Sequence, residues 1–187
     1  MNINMKVKRG GLRLVESSQP TLGFYKIHDE SELIFATHDS ACFDIKAVWT
    51  QNDTIKVFSP VDSSEKAVSG DEIVLGQNER ALIPTGLILD IPEGFSVRLY
   101  SRSGNAIKKG IALINSVGVI DSDYIQELFV PVINMNKHSV TIRKYDRICQ
   151  GEMVQNEWYT IERIPSAPTR DTEHGAGFGN TGGMSGH

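Results

Sequence analysis

The sequence predicts an all-β protein of the sandwich or barrel type. Short apolar runs recur along the chain of 187 residues, and glycine, proline, asparagine and aspartate separate them at close intervals. The length suits one domain with a sizeable hydrophobic core. One segment breaks the pattern: residues 103–110 predict a short helix, with Ser103 as its cap and Gly110 as its end.

The strands are predicted from alternating apolar and polar residues, or from short apolar runs between turn residues. Asp44 lies inside one such run, where a carboxylate is either a hydrogen-bonded anchor or part of a site. Residues 161–164 are expected to end the core. The predicted strand segments are 6–8, 12–14, 33–36, 41–47, 70–75, 80–84, 85–95 (with turn signals at each end), 110–118, 126–132, 139–142 and 146–150.

Two segments depart from this regular pattern. Residues 50–78 place polar turns around the run 55–58, and we expect an extra hairpin or surface excursion there. Residues 165–187 are rich in glycine and poor in apolar side chains, so they cannot pack by themselves. This tail carries Phe178, and it is either a plain flexible end or a lid over a phosphate-bearing ligand. The predicted organisation is therefore a β domain, 1–164, and a tail, 165–187.

Composition and charge exclude several classes of protein. A hydrophobic content of 40% and a charged content of 22% are those of a soluble globular protein. The net charge of -4 does not favour nucleic acid as the main partner, because binding to a phosphate backbone would favour a basic surface. No segment has a membrane-spanning length, and the polar start does not resemble a signal peptide. We therefore expect a cytoplasmic protein without a membrane or nucleic-acid partner.

The cysteines and histidines predict neither a disulfide framework nor a zinc site. Cys42 and Cys149 lie in apolar surroundings, which is typical of buried thiols in a reducing compartment. The five histidines are scattered, and no Cys/His spacing fits zinc. A metal that takes part should therefore be a hard cation with oxygen ligands.

Four groups of polar residues are candidates for chemistry. Residues 119–124 place two carboxylates, Asp121 and Asp123, between two predicted strands, where acids usually build turns. Arg102 and Ser103 at the start of a helix predict an anion site, with a capped connector helix as the simpler interpretation. The other candidates are Asp146–Arg147, which we expect to form a structural ion pair, and Gln150, an unexpected polar residue in an apolar run.

Five segments, in this order, resemble the motifs of the trimeric dUTPases. They are 41–45, 102–104, 115–124, 146–150 and 177–182, and the connecting segments 84–87 and 91–94 are also similar. Each motif is weak alone, whereas five in order make a strong match. The resemblance covers roughly residues 30–182 apart from 50–78.

The resemblance implies a distorted jelly-roll of the β-clip type, with one short helix, that forms a homotrimer. Its sites would be shared between subunits, and the arm 165–187 of one subunit would close over the site of another. The implied reaction converts dUTP and water to dUMP and pyrophosphate, with Mg²⁺ on the triphosphate. Asp121 matches the base that activates the water, and a carboxylate serves when it is held in line with the α-phosphorus. Asp123 inherits no chemical role and builds the turn.

The remaining roles are also implied by the resemblance. Tyr124 matches the residue that packs on the deoxyribose and excludes a 2′-hydroxyl. Asp44 matches the acid that holds the waters of the metal. The uracil reader corresponds to Asn115 with the backbone at Gly118, Val119 and Ile120; the phosphate contacts correspond to Arg102, Ser103, Gly104 and Gln150; and the arm supplies Phe178, which stacks on the base, and Gly179.

Four features depart from the family pattern. Cys42 stands where the first motif usually has glycine, and Ile125–Gln126 replaces a small pair that contains glycine. The third departure is the segment 50–78. The fourth is the arginine of the tail, because Glu173 occupies its usual position five residues before Phe178. Arg170 and His174 are the candidates to replace this arginine at the γ-phosphate.

Two alternatives stay open beside the hydrolase. A dCTP deaminase shares the fold but needs a glutamate after the turn, where this chain has Pro131, and proline cannot move protons. A binding or regulatory protein on an inactive dUTPase-like scaffold would use 50–78 as a surface for a protein partner. The extra hairpin and altered tail would suit a viral or phage enzyme, whose compartment would be the host cytoplasm.

Overall fold

The computed structural model describes residues 20–169 and the backbone of residues 5–8 and 11–14. Within these residues the chain forms strands and one short π-helix, Asn105–Lys109. The strands are β1 Met5–Lys8, β2 Gly11–Leu14, β3 Gly23–Lys26, β4 Leu33–Ile34, β5 Phe43–Lys46, β6 Ile55–Phe58, β7 Glu65–Val68, β8 Glu72–Leu75, β9 Arg80–Asp90, β10 Phe95–Ser101, β11 Ile111–Leu113, β12 Val117–Ile120, β13 Glu127–Asn134, β14 Val140–Arg143 and β15 Arg147–Gln155.

The strands form two main antiparallel sheets. One sheet has five strands in the order β12-β10-β15-β5-β4, and the other has six, with the path β11-β13-β9-β6-β7 and β3 paired to β9. Two further pairs, β1-β2 and β14-β8, complete the described part. All the strand pairs have antiparallel registers. The prediction of an all-β fold with one short helix is confirmed.

A single hydrophobic core joins the two main sheets. Burial alternates along β13, so that Leu128, Val130 and Val132 face inward and their neighbours face outward. Ile45 on β5 and Leu99 on β10 enter the same core from the five-stranded sheet. The alternation follows from the strand geometry, in which successive side chains point to opposite faces.

The segment 50–78 forms the extra hairpin that was one of the two predicted alternatives, since β6 pairs with β7, but it belongs to the fold and is not only a surface excursion. Strand β6 pairs with β9 inside the six-stranded sheet, and β8 pairs with β14. Ile55 and Ile73 are each 1% exposed and lie in the core. The longest exposed run is 60–67, which holds the turn 60–64 and most of β7. The polar turns suggested a surface hairpin, but alternate residues between them are apolar and buried.

Strand β9 continues through the segment 84–86, where the sequence predicted a break between two strands. Side chains replace part of the regular hydrogen bonding there. Thr85 donates its hydroxyl to the carbonyl oxygen of Leu128 at 2.6 Å, and the amide of Gly86 donates to Oε1 of Glu127 at 2.9 Å. Gly86 adopts a positive φ of 63° in this irregular stretch. The strand therefore absorbs the proline and glycine as a local distortion.

The compact β unit ends at Glu157, and the chain from Trp158 onward forms a separate unit. Residues 158–169, the described part of that unit, contain no strand or helix. The segment 161–164, which was expected to end the core, therefore lies beyond the end of the β unit. None of the helical structure in the described ranges is long and apolar enough to cross a lipid bilayer.

Candidate functional site

Asp44 is the buried centre of the candidate site. It lies on β5 between Phe43 and Ile45, and its side chain is 7% exposed. Its Oδ1 accepts a hydrogen bond from Nε of Arg102 at 2.7 Å, and its Oδ2 accepts one from Nη1 of Arg147 at 3.0 Å. A carboxylate removed from water needs such partners, because an unpaired buried charge is costly. The structure thus makes Asp44 an anchor for two arginines.

Arg102 lies directly after β10, which ends at Ser101, and leads into the π-helix. Besides its contact with Asp44, its Nη1 donates to the carbonyl oxygen of Arg147 at 3.4 Å. Ser103 and Gly104 follow and are exposed. The guanidinium is therefore held in place beside an exposed hydroxyl and exposed backbone, which suits the binding of an anion.

The helix at this position differs from the predicted one at its start. Ser103 and Gly104 are already helical and lead into the π-helix, and no side-chain hydrogen bond caps it at Gly104, so Ser103 does not serve as the cap. The helix has the wider π form and spans five residues. Its predicted end at Gly110 is confirmed, and Gly110 adopts a left-handed conformation with φ 59°. We base the anion site on Arg102 and the hydroxyl of Ser103, since so short a helix contributes little dipole.

Asn105 is a buried polar residue that the sequence did not single out. Its Nδ2 donates to the carbonyl oxygen of Arg147 at 2.8 Å, and the carbonyl oxygen of Ile148 lies 3.4 Å away. The side chain thus ties the first turn of the helix to β15. The sequence offers little signal for this role, because one asparagine after a glycine also fits an ordinary turn.

Gln150 lies on β15, directly opposite Asp44 on β5 and Tyr100 on β10. Residues opposite each other in a ladder share a face, so these three side chains form one row across the sheet. Nε2 of Gln150 lies 3.3 Å from the carbonyl oxygen of Ser101, next to Arg102. The structure therefore brings together three of the predicted phosphate contacts, Arg102, Ser103 and Gln150.

The predicted ion pair between Asp146 and Arg147 is wrong. Oδ2 of Asp146 accepts a hydrogen bond from the amide of Arg143 at 3.1 Å, which closes a turn. Arg147 pairs with Asp44 instead. Neighbouring side chains in an extended chain point apart, and this geometry separates the two residues.

The segment 115–124 contains β12 and the turn after it. Gly118 is buried against β10, where an added Cβ would lie 3.1 Å from Cβ of Leu99. Val119 is 47% exposed, while Ile120 packs partly against the core. Asn115 is exposed and precedes β12, and a positive φ of 62° at Ser116 turns the chain into the strand.

Asp121 begins the turn that the sequence predicted here. Its carbonyl oxygen accepts a hydrogen bond from the amide of Tyr124 at 3.2 Å, and its side chain is exposed. The hydroxyl of Tyr124 donates to the carbonyl oxygen of Glu127 at 2.9 Å, and the residue is 40% exposed. Asp123 is exposed and completes the turn.

The acidic turn and the arginine cluster lie at opposite ends of one strand pair. Ile120 is opposite Val97 on β10, and Asp121 follows it. Arg102 lies beyond the other end of β10, after Ser101. The four steps from Val97 to Ser101 span roughly 14 Å at the rise of an antiparallel strand. The structure therefore separates Asp121 from the predicted phosphate contacts within one chain.

Two of the four sequence departures fall among described residues near the site. Cys42 is half-buried and forms no disulfide, and Cys149 is fully buried. Ile125 and Gln126 are exposed, and β13 begins after them at Glu127. Pro131 lies opposite Leu82 within the ladder of β13 and β9.

The predicted site residues Arg170, Phe178 and Gly179, together with Glu173 and His174, lie outside the described residues.

These observations define a class of protein first: an all-β protein with two arginines anchored on a buried carboxylate and a separate, exposed acidic turn. Comparisons with known proteins then identify the family. A sequence model of the dUTPase family matches residues 67–182. The deoxyuridine 5'-triphosphate nucleotidohydrolase of Finegoldia magna is 39% identical over 142 residues, which cover 74% of this chain and 98% of the relative. That of Brucella melitensis is 37% identical over 171 residues, or 89% of this chain and 96% of the relative.

Solved structures agree at the level of the fold. The dUTPase of Streptococcus mutans matches with a TM-score of 0.56 and 24% identity, over 74% of this chain and 98% of the other. A mutant dUTPase of Staphylococcus bacteriophage 80alpha with dUpNHpp matches with a TM-score of 0.64 and 21% identity, over 87% and 98%. The chain belongs to the dUTPase family, as the resemblance of its motifs indicated.

Proposed function

We propose that this protein is a dUTP diphosphatase that hydrolyses dUTP to dUMP and pyrophosphate. The observation that carries the proposal is the pairing of Asp44 with Arg102 beside Ser103 and Gln150, in a chain that belongs to the dUTPase family. Anchored arginines and exposed hydroxyl and amide groups suit the multiple negative charges of a triphosphate.

Asp121 is the proposed base. A water molecule held by its carboxylate attacks the α-phosphorus, its proton passes to the carboxylate, and the bond to the bridging oxygen breaks to release pyrophosphate. The exposed position of Asp121 at the end of β12 leaves its oxygens accessible to such a water. Precise placement matters more than basicity here, because alignment with the phosphorus supplies most of the advantage.

Tyr124 and the segment before Asp121 are proposed to recognise the nucleoside. The ring of Tyr124 is fixed by the hydrogen bond to Glu127 and can pack on the deoxyribose. Asn115, with the backbone of residues 118–120, would pair with uracil. A site whose polar groups are left unpaired by the wrong base discriminates strongly against it.

A magnesium ion fits the site in an indirect role. Among the described residues, no group of three His, Cys, Asp or Glu side chains lies close enough to hold a metal. Oδ2 of Asp44 already accepts two arginine N–H groups, but Oδ1 accepts only one and keeps a second lone pair for a metal-bound water. When bound, Mg²⁺ would neutralise part of the triphosphate charge and keep much of its own hydration shell. The oxygens of the triphosphate would be its direct ligands.

The proposed active site is shared between subunits of a homotrimer. Asp121 must lie close to the α-phosphorus, whereas the arginine cluster lies roughly 14 Å or more away along the same strand pair. This separation supports an arrangement in which a second subunit supplies the cluster. The arm 165–187 of a subunit would then close over the site, with Phe178 and Gly179 on the base and Arg170 or His174 toward the γ-phosphate.

We also propose that the protein is cytoplasmic. A protein partner that uses the segment 50–78 would bind its exposed turn 60–64. Val61 in this turn is 92% exposed, whereas β6 and β8 are committed to the fold. None of the segments assigned to nucleotide binding includes this turn.

Pyrophosphate release from dUTP in the presence of Mg²⁺ tests the proposal. We expect turnover by the wild type, and a loss of roughly a hundred- to ten-thousandfold in kcat for Asp121→Asn. The variant should still bind a non-hydrolysable imido analogue of dUTP, because the carboxylate acts on the water. A wild type that binds this analogue but releases no pyrophosphate would contradict the enzyme and favour a regulatory role. Ammonia release from dCTP would instead reveal a deaminase.

A further inference from the structure

Arg147 faces the same side of the sheet as Asp44 and Gln150 because of an irregularity in β15. Gln150 is three positions after Arg147, so a regular strand would turn the two side chains to opposite faces. The register shifts between Arg147 and Cys149, so that Arg147 lies opposite Lys46 and Cys149 opposite Ile45. The extra residue on β15 is a β-bulge, which re-aims the side chain before it.

The guanidinium of Arg147 has spare donors and is accessible. Its contact with Asp44, from Nη1 to Oδ2 at 3.0 Å, uses one of its five N–H groups. The side chain is 49% exposed, compared with 24% for Arg102. The two arginines and one carboxylate together carry a net charge of +1. The cluster is therefore positive, and Arg147 is its more exposed cation.

The backbone at Arg147 is also fixed. Its carbonyl oxygen accepts hydrogen bonds from Nδ2 of Asn105 at 2.8 Å and from Nη1 of Arg102 at 3.4 Å. At the other end of Arg147, the guanidinium donates a hydrogen bond to Asp44. Such preorganisation lowers the entropy that an arginine loses when it binds an anion.

We propose that Arg147 is a second phosphate-binding arginine, which contacts the β- or γ-phosphate of the nucleotide beside Arg102. The inference rests on the proposed function and extends it. Arg147 would also supply the triphosphate with a cation from the β domain. This matters because Glu173 stands five positions before Phe178, where the family usually has an arginine. The buried carboxylate of Asp44 then has one task for both arginines, which is to hold them at the same phosphate site.

The test compares two ligands by calorimetry: dUMP and the non-hydrolysable imido analogue of dUTP. For Arg147→Gln we expect roughly ten- to hundredfold weaker binding of the imido analogue, the range for a hydrogen bond between charged groups. Binding of dUMP should stay near the wild-type value, since it lacks the β- and γ-phosphates. Arg143→Gln removes the same charge from an exposed arginine that pairs with Glu72, and it should change neither affinity.

Wild-type affinity of Arg147→Gln for the imido analogue would overturn the proposal, as would an equal loss for both ligands. If Arg147→Gln does not fold, Arg147→Lys decides: it keeps the charge but loses the planar fork. A several-fold loss for the imido analogue alone supports the proposal, and an unchanged affinity overturns it. The proposed function fails separately, if the wild type releases no pyrophosphate from dUTP.

Discussion

Asp44 and Arg102 contact each other through both ends of the carboxylate. Oδ1 lies 2.7 Å from Nε, and Oδ2 lies 3.4 Å from Nη2. The two residues are 58 positions apart in the chain, on β5 and after β10. Two parallel hydrogen bonds fix the plane of the guanidinium as well as its position. Asp44 therefore fixes the orientation of the Arg102 guanidinium directly before the exposed Ser103.

Asp44→Asn should weaken both stability and phosphate binding. The amide keeps the shape but leaves two arginines without their counter-charge, and we expect a loss of about 1–3 kcal/mol in the free energy of unfolding. Urea denaturation at a fixed protein concentration measures it. Asp39→Asn is the control, because Asp39 is 95% exposed, and surface changes usually stay within about 0.5 kcal/mol. Equal stabilities of the two variants would contradict an anchoring role for Asp44.

The segment 50–78 should respond to mutation as core at some positions and as surface at others. Ile55→Ala should lower the free energy of unfolding by about 2–5 kcal/mol, the usual cost of truncating a buried isoleucine. Val61→Ala in the exposed turn should change it by less than about 0.5 kcal/mol. Chemical denaturation of both variants measures the difference.

Deletions give the matching control for this prediction. Removing residues 51–66 would take β6 out of the six-stranded sheet, and we expect an unfolded or aggregated protein. Shortening the turn 60–63 should leave the fold and the turnover of dUTP intact. A folded, active protein without residues 51–66 would show that β6 is dispensable after all.

The strands could be predicted from the sequence wherever one face is buried. The run 127–134 shows why, because alternate residues enter the core and the pattern is visible without a structure. The same signal was present at Ile55 and Val57 on β6, where polar turns on both sides outweighed it. Turn residues report where the chain reverses, whereas alternation reports burial, and in this segment the second signal was the correct one.

The contacts within the site could not be predicted from the residues alone. The motifs gave Asp44 and Arg102 as site residues, but their pairing depends on two strands that are distant in sequence. The bulge in β15 is equally hidden, because it is defined by the register against β5. A reader of the sequence cannot see the bulge, and the adjacent charges of Asp146 and Arg147 then suggest a local ion pair. The sequence therefore led to the wrong partner for Arg147.

Gly86 should tolerate no side chain. Its φ of 63° is strained for other residues, and an added Cβ would lie 2.3 Å from Oγ of the buried Ser31. Gly94 has a similar φ of 81° but open space around the same position. Gly94→Ala therefore measures the backbone cost alone, about 1–2 kcal/mol. Gly86→Ala should cost clearly more in thermal or urea unfolding, and equal costs would show that the loop around Ser31 moves away freely.

The ion pair between Glu79 and Lys66 should stabilise the protein at neutral pH, and this stabilisation should disappear in acid. Its Oε1 contacts Nζ of Lys66 at 2.6 Å, and this hydrogen bond lowers the pKa of Glu79 below its ordinary value of 4.5. Because the folded state favours the charged form, the contribution is complete above pH 4.5 and disappears as the pH falls through the lowered pKa. Glu79→Gln should therefore be less stable than the wild type near neutral pH, and the difference should shrink on acidification. Urea unfolding between about pH 7 and about pH 3 measures it, with the exposed Glu32→Gln as control. A difference that stays constant over this range would rule out the ion pair with Lys66 as its cause.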